Sequence, residues 1–306
     1  MNIEAIRRIA EKYDAKTTGD LGLLFTDLKT GETVTVNPDK ELPAASTFKV
    51  FLLAEFLRQC EEGKYNLMDR HELKEAFVSP GSGVLCDLIP GMNLTLLDYA
   101  RLMMMLSDNT ATDYLYSLTG RDNIKNNVID AFGLSRTKCD YPCKLLIETY
   151  FDPAHKKVAG ERNWRNTDDY LCLTDTNDST SPNDMAKVLK MAYDKTLFSP
   201  WVSEQMIDIM KRCHTNSRIP RSCPVMWRLP TRPVPWTRLP TTAASSIPKR
   251  AITCSACSTT AIPPPRKSMT PTSRAASVTV CWLRFPRRST PPTWNKGIKK
   301  APRRGE

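Results

Sequence analysis

Eight residues, Val50-Phe51-Leu52-Leu53-Ala54-Glu55-Phe56-Leu57, place the strongest constraint on the fold. A run this apolar, ending near Gly63, reads as a buried helix. It follows Ser46-Thr47-Phe48-Lys49, so Ser46 falls in its first turn and Lys49 lies three residues on, on the same face. A serine is a poor nucleophile until something takes its proton. A lysine can do so where burial depresses its pKa. The start of a helix also offers backbone N–H groups to a developing oxyanion. Alone, the pattern is weak, because most such matches are an N-cap serine followed by a solvated lysine.

A second stretch gives the first its meaning. Leu102-Met103-Met104-Met105-Leu106 leads into Ser107-Asp108-Asn109-Thr110-Ala111-Thr112, which begins 61 residues beyond Ser46. That separation is ample for helices and a loop to fold back. Ser-x-x-Lys followed by Ser-Asp-Asn forms two parts of a set completed by Lys-Thr-Gly. With Gly81-Ser82-Gly83-Val84-Leu85 and Thr180-Ser181-Pro182-Asn183-Asp184-Met185-Ala186 in the same order, residues 15–220 resemble the class A β-lactamase-like serine hydrolases, relatives of the penicillin-binding proteins.

The resemblance implies an α/β fold of the β-lactamase/transpeptidase type, a helical subdomain beside an antiparallel sheet flanked by helices. It implies catalytic roles for Ser46 as nucleophile, Lys49 as general base and Ser107 as proton relay. Asn109 would hold Lys49 and a substrate amide, Ser82 and Gly83 would approach the mouth of the site, and Asp108 would brace its loop. The implied substrate is a small molecule, a β-lactam or D-alanyl-peptide-like amide or ester, handled by a monomer without a cofactor. The family's deacylating glutamate, followed by a Leu-Asn pair, has no counterpart in 134–178. The acids there include Glu148, Asp152, Glu161, Asp168, Asp169, Asp175 and Asp178, and none carries the motif. A penicillin-binding or esterase-like activity is therefore as credible as β-lactam hydrolysis.

Local signals predict the remaining elements. A helix covers 3–13, and strands at 21–28 and 33–37 flank a turn. That turn contains a literal Lys29-Thr30-Gly31, read as a decoy because it precedes the nucleophile. Further helices are expected at 70–77, from Thr95 to Leu106, at 111–118, at 121–132, from Asp184 to Tyr193 and from Ser199-Pro200 to Lys211. The methionines at 103 and 104 read as core packing.

Composition breaks sharply at residue 221. Residues 221–306 hold 17 of the 44 Lys+Arg, one of the 33 Asp+Glu and 14 of the 23 prolines, and so account for the whole net charge of +11. A basic tail could bind nucleic acid, a function ranked last. The segment also carries four of six tryptophans and four of ten cysteines, which disordered segments usually avoid. Out-of-frame translation produces such a mixture. Taking the last base of each codon with the next two, Ser222 to Pro230 permits Leu-Pro-Gly-Tyr-Val-Glu-Val-Ala. Pro230 to Thr237 then permits His-Lys-Thr-Gly-Thr-Val-Asp. On this reading 1–220 is an incomplete β-lactamase-like domain whose last strands are missing or scrambled, 221–306 is an out-of-frame tail that is disordered or badly packed, and the sheet reduces to the N-terminal hairpin.

The cysteines show no paired spacing. Cys139 and Cys143 form C-x3-C without a second pair at zinc-finger distance, so no metal is implied. No apolar run is long enough for a membrane span, and no signal peptide is visible. As written the chain reads as cytoplasmic, or as periplasmic or secreted if its start is misassigned.

Overall fold

The computed structural model describes residues 3–16, 20–28, 30–151, 177–214, 252–254 and 278–283. Helix α1 (Ile3–Asp14) lies against a hairpin of β1 (Leu21–Thr26) and β2 (Thr33–Val36). Val34 pairs Phe25 across the antiparallel ladder. With Leu23, Phe25 and Val34, Ala10 builds a small apolar cluster under α1. The hairpin turn is the expected one. Gly31 takes φ +77 and donates its N–H to Asp27 O at 2.7 Å, a left-handed conformation that glycine adopts at little cost. Thr30-Gly31 is thus turn, while Lys29 lies outside the described residues.

The apolar run becomes the axis of the larger core. After the two-residue strand β3 (Leu42–Pro43) and a turn of 3-10 helix over Ala45–Phe48, helix α2 spans Lys49–Glu61, with 11 of its 13 residues buried. A helix apolar on nearly every side needs partners on every side. Those partners include α3 (Leu96–Met105), α4 (Asn109–Thr119) and α5 (Arg121–Ile124). Lys125–Asp130 continues α5 as a π-helix. The buried Glu55 of α2 accepts from Arg58, Gln59 and Asn127, which satisfies a carboxylate that would otherwise be costly there.

Two sequence expectations fail locally. Residues 70–77 form a strand, β4 (Arg70–Glu72), and a 3-10 turn, Glu75–Phe77, in place of a helix. The cause is non-local: β4 pairs antiparallel with β5 (Asn93–Thr95), Arg70 opposite Thr95. The nucleophile segment is 3-10 rather than α, and the α-helix proper begins at Lys49.

Beyond the core, α6 (Cys143–Phe151) follows a loop, and β6 (Ser179–Thr180) pairs with β3. Helix α7 (Pro182–Asp194) and helix α8 (Pro200–Met210) start on the expected serine caps. Ser181 accepts from Asp184 N, and Ser199 from Val202 N, each followed by Pro in the first turn.

The main sheet differs from the expected hairpin. Two strands of the tail join it, β7 (Ile252–Cys254) and β8 (Val278–Leu283), in the order β2-β1-β8-β7. β8 runs parallel to β1, Leu21 opposite Val278, and β7 is antiparallel to β8. The sheet is therefore mixed, not wholly antiparallel. The edge of β1 presents backbone groups that demand partners. Val278-Thr279-Val280-Cys281-Trp282-Leu283 is a proline-free run of strand-forming residues able to supply them.

Candidate active site

Ser46 sits in the 3-10 turn directly before α2. Three residues per turn place it over Lys49. The serine is exposed and the lysine is 1% exposed, so an exposed serine precedes a desolvated amine by one turn. The approach to Ser46 is pinned from behind. Ala44 donates its N–H to Asp178 O at 2.8 Å, and Pro43 pairs with Ser179 across β3 and β6. Ala45 takes φ +44, a left-handed strain in a non-glycine residue one position before the serine.

An ammonium has three hydrogens to place. Lys49 Nζ gives them to Ser107 O at 2.8 Å, Ser107 Oγ at 3.0 Å and Asn109 Oδ1 at 2.9 Å. Ser107 holds φ +57, which turns its carbonyl and its hydroxyl toward the same cation. Burial lowers the Lys49 pKa, and the electrostatic effects of Cys143, Asp113 and Asp108 act against it. The amine thus reaches its neutral, proton-accepting form more readily than an exposed lysine.

Asp108 does structural work, as its place in the motif led us to expect. Its side chain caps α4 through Ala111 N at 2.9 Å, and its other oxygen accepts from Val84 N at 2.7 Å and Leu85 N at 2.9 Å. Asn109 sends its amide to Pro80 O at 2.8 Å and its backbone N–H to Ser82 O at 2.8 Å. The Gly81-Ser82-Gly83 loop is thereby fastened to the Ser-Asp-Asn segment. Gly83 permits the approach: with φ +118, an added Cβ would lie 2.3 Å from the Asp108 carboxyl. Ser82 is exposed on this loop. All six residues named from the sequence thus gather in one region, though Asn109 already uses its amide within the protein.

Other residues complete the frame without having announced themselves. Asp113 accepts from Ser79 Oγ at 2.5 Å, Cys143 N at 2.6 Å and Lys144 N at 2.7 Å. It ties α4 to the start of α6 and to the glycine loop. Thr110 Oγ1 both accepts from Ser79 N at 3.0 Å and donates to Ser79 O at 3.1 Å. The only sequence signal was a polar residue at a position that α4 buries.

Of the acids between 134 and 178, Asp140 and Asp178 are described in full. Asp178 is buried, accepts from Asp140 N at 2.8 Å, and leaves Oδ2 without a partner. Burial is the main cause raising its carboxyl to about 7. The side chain of Glu148, and all of Asp152, Glu161, Asp168, Asp169 and Asp175, lie outside the described residues. Among the described residues no group of three His, Cys, Asp or Glu could hold a metal ion, and no helix is long and apolar enough to cross a membrane.

A serine one turn before a buried lysine, the lysine bound to a Ser-Asp-Asn turn, and helices packed on a sheet define the β-lactamase/transpeptidase-like fold class. The model of the beta-lactamase enzyme family matches residues 3–233, and the chain belongs to that family. It is similar to a beta-lactamase from Sphaerobacter thermophilus of known structure, at 28% identity and a TM-score of 0.57, over 70% of this chain and 72% of that one. PBP-A is similar at 26% identity and a TM-score of 0.55, over 69% and 70%. The Pseudomonas aeruginosa beta-lactamase CARB-4 is 26% identical over 137 residues, 45% of this chain. The chain spans about half the length of the curated relatives it matches, 47% for CARB-4.

Proposed function

We propose that the chain transfers acyl groups to Ser46 from a β-lactam or a D-alanyl-peptide-like amide or ester. The observation that carries this reading is the buried Lys49, held to both Ser107 and Asn109 beneath an exposed serine. In the neutral form Lys49 accepts the Ser46 proton as Oγ attacks the carbonyl carbon. Ser107 passes a proton to the leaving nitrogen, the C–N bond breaks, and an ester remains on Ser46. The Ser46 backbone N–H supplies one oxyanion donor. Loss of such a donor commonly costs about 10²–10³ in rate, and the second donor is expected from a strand beside Lys-Thr-Gly.

The test is labelling by a fluorescent penicillin, read by intact mass and peptide mapping. The adduct belongs on Ser46 and is absent in Ser46→Ala. An equal adduct in Ser46→Ala, or none in the parent, rejects the reading.

A second reading concerns the tail. We propose that 221–306 is translated out of frame, and that the chain as written is a remnant with slow or no turnover. Its one acid against 17 basic residues, and the coherent His-Lys-Thr-Gly strand permitted by the shifted codons of Pro230 to Thr237, support this. Resequencing the codons for Arg218 to Pro230 decides it. One inserted or missing base restores the strand, and an unchanged sequence shared by related genes rejects the idea. If the tail is instead a nucleic-acid-binding segment, retention on DNA falls with salt and disappears when 221–306 is removed.

A further inference from the structure

The β1–β2 hairpin and helix α7 do not close on one another everywhere. Between them lies a cleft of about 580 Å³, within the size range of small-molecule sites. None of its lining residues belongs to the Ser46 site. Leu24 on β1 and Ala186 on α7, each 8% exposed, give it apolar surface. The rest of the lining is mostly polar.

On the helix side, Asn183, Lys187 and Lys190 stand at i, i+4 and i+7, one stripe of α7. Lys187 Nζ donates to Phe132 O at 2.5 Å and lies 3.9 Å from where a Cβ on Gly133 would stand, so its ammonium is held at the edge of the cleft. Lys190 pairs with Asp194. An ammonium has three hydrogens, and each lysine keeps donors to spare. The acids in the lining are committed elsewhere. Asp184 is buried, and its Oδ2 accepts from Arg136 N and Thr137 Oγ1, both at 2.8 Å. Asp39 Oδ1 accepts from the Asn183 amide at 2.6 Å. On the hairpin side, the Thr26 and Thr33 hydroxyls lie 3.1 Å apart, and the loop after Gly133 adds Ser135. Lysines along a helix commonly do no more than keep a face wet. Here they border a concave surface that also offers apolar carbon and hydroxyls.

We propose that this cleft binds a phosphate monoester of a small hydroxylated molecule. Two ammonium point charges suit a tetrahedral dianion. A planar carboxylate is better matched by an arginine fork, and no arginine lines the cleft. The other carboxylate oxygen of Asp39 and the hydroxyls of Thr26, Thr33 and Ser135 take the ligand's hydroxyls, while Leu24 and Ala186 meet its C–H surface. The site is separate from Ser46 and stands whether or not Ser46 is acylated.

The experiment titrates the full chain by calorimetry with glycerol phosphate, glucose phosphate and uridine monophosphate, at an ionic strength fixed with sodium chloride. Inorganic phosphate and glucose are the controls. At least one monoester is expected to bind saturably at one site, and more tightly than either control. Lys187→Gln and Lys190→Gln should each weaken it by about tenfold or more, the scale of one charge-assisted hydrogen bond. Both side chains are exposed, so both variants fold. Lys74→Gln, exposed and outside the cleft, keeps the parent's affinity. Ser135→Trp leaves both lysines in place and fills the cleft from an exposed position, and should abolish binding while its circular dichroism melt matches the parent's. The proposal is overturned if no monoester binds, if inorganic phosphate binds as tightly as the monoesters, or if either lysine variant or a folded Ser135→Trp keeps the parent's affinity.

Discussion

The ammonium of Lys49 and the side-chain oxygen of Asn109 stand 2.9 Å apart, on α2 and α4, and that contact is buried. Asn109 passes the constraint on, because its amide holds Pro80 O at 2.8 Å and its backbone holds Ser82 O. The nucleophile helix and the glycine loop are coupled through a single side chain.

Burial lowers the Lys49 pKa from 10.5. Between the lowered value and 10.5 the unfolded chain binds a proton that the folded chain has released. Folded stability therefore rises with pH across that window. Lys49→Met removes the titration. The difference in melting temperature between parent and Lys49→Met should move in the parent's favour as pH rises toward 10.5, measured by circular dichroism. A flat difference refutes the burial argument.

Asp178 gives the opposite slope. Its carboxyl is raised from 3.8 to about 7, chiefly by burial. Across that interval the folded state keeps a proton that the unfolded state has lost, so stability falls as pH rises from about 4 to 7. Asp178→Asn carries no charge and is expected to match the parent near pH 4 and to exceed it at pH 8. The gain at pH 8 should be about 1–3 kcal/mol, the scale of an unsatisfied buried polar group. Thermal melts at pH 4 and pH 8 check this, and a variant weaker at pH 8 contradicts it.

Gly83→Ala and Gly91→Ala separate steric conflict from backbone strain. Both glycines have positive φ, but a Cβ on Gly83 meets Asp108 at 2.3 Å and one on Gly91 meets nothing within 4 Å. Gly91→Ala should lose about 1 kcal/mol. Gly83→Ala should lose more, about 3 kcal/mol, and should slow acylation because Asp108 must move. Urea midpoints rank the pair, and equal losses would remove the steric argument.

Asp113→Asn replaces one acceptor oxygen with a donor facing Ser79 Oγ, Cys143 N and Lys144 N. We expect a loss of about 1–3 kcal/mol. Hydrogen exchange should rise first at the start of α6. Protection unchanged at Cys143 and Lys144 would show that the cap contributes nothing.

The sequence disclosed what is local. Thr95, Ser181 and Ser199 each cap the helix expected of them, and Thr95 forms a full capping box with Asp98. Ser46 and Lys49 were legible because helical spacing relates them, and Ser107 because it opens the Ser-Asp-Asn motif. Residues 70–77 were misread because the pairing of Arg70 with Thr95 is not written near either. Asp113 and Cys143 were unreadable for a similar reason: their partners lie 30 residues apart. The strand at 278–283 was missed because proline and arginine dominate its surroundings, and a single strand among them has no period to reveal it.

The reach of the Lys49 bonds bears on how the chain is made. None extends beyond 60 residues, and all are closed by Asn109. Synthesis runs from the N-terminus, and units complete in themselves can form before later codons are read. The ribosome translates the codons beyond 220 only after every group in this ring has been synthesised. A change of reading frame there alters the sheet and leaves the lysine's partners in place. A gene altered beyond that point would therefore still encode Ser46, Lys49 and every partner that the lysine bonds.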